Sequence, residues 1–133
     1  MNVDITDLKT VRLSQDGSAV IILDQTCLPG SEVYVSLSSA EEIWEAIYRL
    51  KVRGAPAIGI AAAYGIYVCS RQIAANTYGG FCSEFLRIKD YLASSRPTAV
   101  NLVAALDRME KVVVAHSVNP VSEIVELLRV EAA

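Results

Sequence analysis

The chain has 133 residues, with 12 basic and 15 acidic side chains and a net charge of −3 at pH 7. A hydrophobic fraction of 53% against 20% charged excludes intrinsic disorder, because one domain of this length can bury enough apolar surface to offset its ordering entropy. A pI near 5.1 with no basic run excludes the counterion-displacing surface of a nucleic-acid binder, and the acidic start lacks the pattern of a signal peptide.

The first 38 residues read as β. Val11 to Gln15 and Ala19 to Asp24 flank Asp16-Gly17, a pair that supplies the positive φ angles of tight hairpin turns. Leu28-Pro29-Gly30-Ser31 is a second turn, after which Val33, Val35 and Leu37 alternate with Tyr34, Ser36 and Ser38 at the period of a half-buried strand. These segments predict a three-stranded antiparallel sheet.

From Ser39 the period becomes helical. Ser39-Ala40-Glu41-Glu42 is a capping box, in which the hydroxyl accepts from the Glu42 amide and the carboxylate reaches back. Ile43, Ile47 and Leu50 form the apolar stripe, Trp44 and Tyr48 widen it, and Glu45 and Arg49 pair on the wet side. A second helix starts near Pro56 and is expected to reach about Asn76, where Thr77-Tyr78-Gly79-Gly80 breaks it. Phe81, Phe85, Ile88 and Leu92 make a third stripe that ends at Ser94 to Pro97. Leu102, Leu106, Met109 and Val113 make a fourth, and after Asn119-Pro120 a fifth runs through Val121, Ile124, Val125 and Leu128. The fold class is therefore α+β: a small three-stranded antiparallel sheet packed on a bundle of about five helices. Residues 1–133 form one domain, with a β-rich segment 1–38 and a helical segment 39–133.

Two further features bear on compartment. Gly54 to Ser70 carries no charge, but it is shorter than the roughly 20 residues of a membrane span and is bracketed by Arg53 and Arg71. It reads as a helix buried inside a soluble protein, with no membrane partner. Cys27, Cys69 and Cys82 are odd in number and widely spaced, which fits reduced thiols in a cytoplasmic protein. The closing Val130-Glu131-Ala132-Ala133 has no helix stop, and reads as a plain terminal helix or as a chain cut in mid-protein.

Chemistry points to two junctions. Arg53-Gly54-Ala55-Pro56 and Ser95-Arg96-Pro97-Thr98 each put an arginine just before a helix start, where free N–H groups and the macrodipole favour an anion. A guanidinium adds a fork that matches phosphate, and Gly54 lets a ligand approach the backbone. The alternative stays open that both arginines merely sit favourably at the ends of the preceding helices. The small residues Ala57, Gly59, Ala61, Ala62, Ala63 and Gly65 imply close approach of another helix or of a ligand. No catalytic residue emerges. His116 has no local partner, Asp24 is a lone carboxylate, no metal-ligand spacing exists, and no Walker or Gly-x-Gly-x-x-Gly run calls for a cofactor.

The run from Val52 to Gly65 resembles methylthioribose-1-phosphate isomerase, an aldose–ketose isomerase of methionine salvage. Leu23-Asp24-Gln25-Thr26 with Leu28-Pro29, and Ser95 to Leu102 with Ala105 to Met109, resemble the same family in the same order. The resemblance implies the N-terminal domain of a cofactor-free, cytoplasmic homodimer. It implies that Arg53, Gly54, Ala55 and Arg96 contact the phosphate of 5-methylthioribose 1-phosphate on its way to 5-methylthioribulose 1-phosphate. The family's catalytic cysteine and aspartate lie in a later Rossmann-like domain that these residues do not include, so the chain is expected to bind sugar phosphate without turning it over.

Three rivals are kept. The superfamily also resembles regulatory subunits of the initiation-factor nucleotide-exchange complex, and a ribose 1,5-bisphosphate isomerase would share this half. A mean hydropathy of +0.35 also suits a domain that self-associates through bare apolar surface.

Overall fold

The computed structural model describes residues 11–24, 30, 33–49, 55–96 and 98–132. Three strands, β1 (Val11–Leu13), β2 (Val20–Leu23) and β3 (Tyr34–Leu37), form an antiparallel sheet in the order β1-β2-β3. Leu13 pairs with Val20 and Val20 with Leu37, so every second residue of β2 faces the core. Among the described residues five helices follow: α1 (Ala40–Tyr48), α2 (Ala55–Arg71), α3 (Tyr78–Ala93), α4 (Val100–Ala115) and α5 (Val121–Ala132). The α+β class, the three strands and the five helices are as the sequence predicts.

α2 is the axis of the molecule, packed against all four other helices and against β1 and β2. That position accounts for its lack of charge. Ala61, Ala62, Ala63, Ile66 and Val68 are almost wholly buried, and hydrophobic neighbours replace the water a surface helix would need. Two glycines set its distances: a Cβ on Gly65 would lie 3.0 Å from Ile43 Cγ2 of α1, and one on Gly59 would lie 3.3 Å from the Asn101 carbonyl oxygen of α4. Among the described residues no helix is long and apolar enough to cross a membrane.

The predicted stripes of α3 and α4 are buried in full: Phe81, Phe85, Ile88 and Leu92, then Leu102, Leu106, Met109 and Val113. On α5, Ile124 and Leu128 are buried while Val121 and Val125 are partly so. Lys89 ties α3 to α4 by pairing with Asp107 at 2.7 Å and with Glu110. Arg108 of α4 pairs with Glu131 of α5 at 3.0 Å.

Four local expectations are corrected. The strands of the hairpin stop at Leu13 and resume at Val20, because the Asp16 carboxylate gathers the Ser14 hydroxyl, the Ser18 hydroxyl and the Ser18 amide. Gly17 keeps its positive φ of 76°. α2 ends at Arg71 rather than near Asn76, since the Gln72 and Ile73 amides turn back to the Cys69 and Ser70 carbonyls and the Gln72 side chain donates to the Ser38 carbonyl at 2.6 Å. Thr77 to Gly80 begins a helix instead of breaking one: the Gly80 amide donates to the Thr77 hydroxyl at 3.2 Å. Tyr48 is 59% exposed, stacked on Trp44 rather than inserted in the core. The capping box forms with one shift, the Glu42 carboxylate accepting from the Ser38 amide at 2.9 Å. The turn Leu28-Pro29-Gly30-Ser31 lies outside the described residues except for Gly30.

Candidate functional site

Arg53 and Gly54 lie outside the described residues, Ala55 is the first residue of α2, and Arg96 is half-buried in the bend between α3 and α4. The geometry around them comes from the helices. Gly59, one turn into α2, touches Asn101, the second residue of α4. One helical turn rises about 5 Å, so the two helix starts occupy the same end of the bundle.

The start of α4 differs from those of α1 and α3. Ser39 caps α1 and Thr77 caps α3 through their hydroxyls, whereas Ala99 at the head of α4 offers no side-chain cap. Its leading amides keep donor capacity for an outside acceptor, and the macrodipole favours a negative one. Arg96 stands three residues upstream, its carbonyl accepting from the Ala99 amide at 2.9 Å. Among the described residues its guanidinium has no carboxylate partner. A groove of about 390 Å³ opens beside the two helix starts, lined by Pro56, Gly59, Ile60, Asn101 and Arg108 and by Ala132 of α5; Arg96 does not line it.

A larger cavity, about 670 Å³, lies between the starts of α1 and α3. It is unsuited to an anion, because Ser39 and Thr77 already occupy the helix amides and Glu41 and Glu84 bring negative charge. Its Arg87 is spent on Glu84 at 2.7 Å, a bond that holds the Glu84 carboxyl below its usual range.

Among the remaining reactive side chains, Cys69 and His116 are held in structural roles. Burial, helped by the nearby Glu41 charge, pushes the Cys69 thiol up to about 12, which leaves almost no thiolate near neutral pH. Cys82 is half-buried and Cys27 lies outside the described residues. The His116 ring bonds through Nδ1 to the Val112 carbonyl at 2.8 Å, and Asp24 is buried at the end of β2. Among the described residues no group of three His, Cys, Asp or Glu side chains is placed to hold a metal ion.

No sequence pattern marks Asn101 or Arg108 as a site residue. Gly59 carried a signal, since a glycine inside a helix implies close approach, but nothing in its spacing named α4 as the neighbour. No spacing rule marks the link from Trp44 to Ser94 either: the indole N–H donates to that hydroxyl at 2.9 Å across 50 positions of sequence.

The chain is similar to known proteins in sequence and in fold. The chain is 63% identical over 122 residues to a methylthioribose-1-phosphate isomerase of Parabacteroides distasonis, covering 92% of this chain and 36% of that protein. It is 47% identical over 114 residues to a 5-deoxyribose 1-phosphate isomerase of Bacillus thuringiensis, covering 86% and 33%. Among solved structures, 5-methylthioribose 1-phosphate isomerase from Pyrococcus horikoshii superposes with a TM-score of 0.88 at 39% identity, over 93% of this chain and 34% of that one. The delta subunit of translation initiation factor eIF-2B from A. fulgidus superposes with a TM-score of 0.84 at 33% identity, over 94% and 35%. The chain thus spans about a third of the length of the relatives it matches. The initiation factor 2 subunit family matches residues 51–133, from the link before α2 through α5. With more than half of its length matched in this way, the chain belongs to the initiation factor 2 subunit family.

Proposed function

We propose that these 133 residues are the phosphate-gripping part of an aldose–ketose isomerase acting on a pentose 1-phosphate, with 5-methylthioribose 1-phosphate as substrate. The observation that carries this reading is the contact between Gly59 and Asn101, which brings the uncapped start of α4 beside the start of α2. Arg96, at the head of one helix, and Arg53-Gly54-Ala55, leading into the other, then serve one dianionic ester from two sides. The names of the isomerase relatives support the same substrate class. Because 5-deoxyribose 1-phosphate carries the same anomeric phosphate, it is the second substrate of choice.

The division of labour follows from the chemistry. The anomeric phosphate blocks simple ring opening, so the ester must be held still while hydrogen moves between C1 and C2. These residues do the holding. Neither the buried Cys69 thiol nor the helix-bonded His116 ring is suited to the transfer, so we expect binding without turnover from this chain alone. The homodimer and cytoplasmic location implied by the resemblance belong to the same proposal.

A regulatory reading draws on the eIF-2B delta likeness. Calorimetry separates the two. The isomerase reading expects saturable binding of 5-methylthioribose 1-phosphate, competition by inorganic phosphate and no binding of 5-methylthioribose. Equal heats for the phosphorylated and unphosphorylated sugars would favour the regulatory module.

A further inference from the structure

We propose that Trp44 is a positioning residue for the phosphate site, holding Arg96 in place through Ser94; the proposal rests on the reading of Arg96 as a phosphate ligand. Ser94 is the C-cap of α3, two residues before Arg96. Its hydroxyl accepts from Trp44 Nε1 at 2.9 Å and donates to the Tyr91 carbonyl. Next to it the buried Ser95 donates to the Leu92 carbonyl at 2.7 Å. These bonds end α3 and set the direction in which the chain leaves it. Downstream, the Arg96 carbonyl accepts from the Ala99 amide. The backbone of Arg96 is therefore pinned on both sides, and the upstream pin is anchored on a different helix.

That helix is α1, which ends at Tyr48 with Arg49 as its C-cap. Trp44 is stacked between Tyr48, with ring centroids 4.8 Å apart, and Tyr91 of α3, at 5.9 Å. One aromatic stack thus links the end of α1 to the last turn of α3. Core filling alone does not account for it. Trp44 is only half-buried, its outer neighbour Tyr48 is largely exposed, and its single polar atom is aimed at the helix cap that precedes Arg96. Among the described residues the Arg96 guanidinium has no ion-pair partner, so its aim depends on where its backbone is held.

A double-mutant cycle on this chain tests the proposal, with 5-methylthioribose 1-phosphate titrated by calorimetry and the thermal midpoint of each variant recorded. Trp44→Phe keeps the stack and removes the donor, and Ser94→Ala removes the acceptor as a milder second variant. Each is expected to raise Kd about five-fold, the worth of one hydrogen bond. Arg96→Ala is expected to raise it at least about ten-fold, and Trp44→Phe with Arg96→Ala is expected to match Arg96→Ala alone within about two-fold. Trp44 is the sole tryptophan of the sequence, so saturating ligand should also shift its fluorescence, a shift absent in Arg96→Ala. If Arg96→Ala weakens binding while Trp44→Phe and Ser94→Ala do not, or if the losses add, the positioning role is overturned and the phosphate reading survives. If the wild-type chain does not bind the ester, or Arg96→Ala changes nothing, the phosphate reading itself fails and the proposal with it.

Discussion

Gly59 rests against the main-chain carbonyl of Asn101, and this contact fixes how close the starts of α2 and α4 stand. The opposing atom is backbone oxygen, which cannot rotate away as a side chain would. Gly59→Val is therefore expected to destabilise the fold by about 1–3 kcal/mol in urea unfolding, the usual cost of overpacking. Binding of a sugar 1-phosphate should weaken in the same variant at temperatures where it remains folded. Unchanged stability would mean that the two helices are not held by this contact.

Gly65 offers a contrast. A Cβ there would meet the Ile43 side chain, at 3.0 Å from Cγ2 and 3.2 Å from Cδ1. Ile43 is buried, so Gly65→Ala should lose stability even though alanine favours the helix by about 1 kcal/mol. Trimming the neighbour relieves the clash. The loss on Gly65→Ala should be smaller in an Ile43→Ala background, which removes both Cγ2 and Cδ1, and equal losses in both backgrounds would refute the steric account.

Much of this architecture is legible in the sequence, for identifiable reasons. The stripes of α3 and α4 obey a 3.6 period with one apolar residue per turn, and all eight named positions are buried. Ser39 and Glu42 announce the start of α1 by side-chain chemistry that acts within four residues. The failures are boundaries set by longer-range bonds. α2 stops early where Gln72 reaches Ser38, and Thr77 works as a cap because the chain bends there into α3. The arginine junctions stand out locally, but their neighbours across space, Asn101 beside Gly59 and Ser94 beside Trp44, obey no spacing rule.

Cys69 gives a chemical prediction. Its thiol is pushed from 9.0 to about 12, mainly by burial, so the native chain at pH 8 should hold about a thousand-fold less thiolate there than a free cysteine. Below pH 9 the thiol is neutral in both states, and as pH rises from 9 toward 12 the unfolded chain ionises first, so the folded state loses stability across that window. Alkylation followed by mass spectrometry should label Cys82 well before Cys69, with Cys69 reacting promptly only in urea. Comparable native rates for the two would contradict the burial.

Glu42 gives a pH dependence. Its carboxyl is held below the usual 4.5, chiefly because it accepts from the Ser38 amide. A lowered folded value contributes stability that is present above pH 4.5 and is lost as pH falls through the lowered value. Glu42→Gln is expected to cost about 0.5–1 kcal/mol at pH 7, a capping rather than a buried-charge magnitude. The gap between wild type and variant should shrink in urea titrations as the buffer is taken into the acid range. A gap that stays constant with pH would show that the carboxylate charge plays no part in the cap.

The central claim is that two arginine junctions hold one phosphate ester, and a calorimetric cycle over Arg53→Ala and Arg96→Ala tests it most directly. Each single variant should weaken binding of 5-methylthioribose 1-phosphate by about 1.5–3 kcal/mol, the range for charge-assisted hydrogen bonds. Because both guanidinium groups would serve the same dianion, the double variant should depart from additivity, and inorganic phosphate should cease to compete. Wild-type affinity in both single variants, with phosphate still competing, would contradict it.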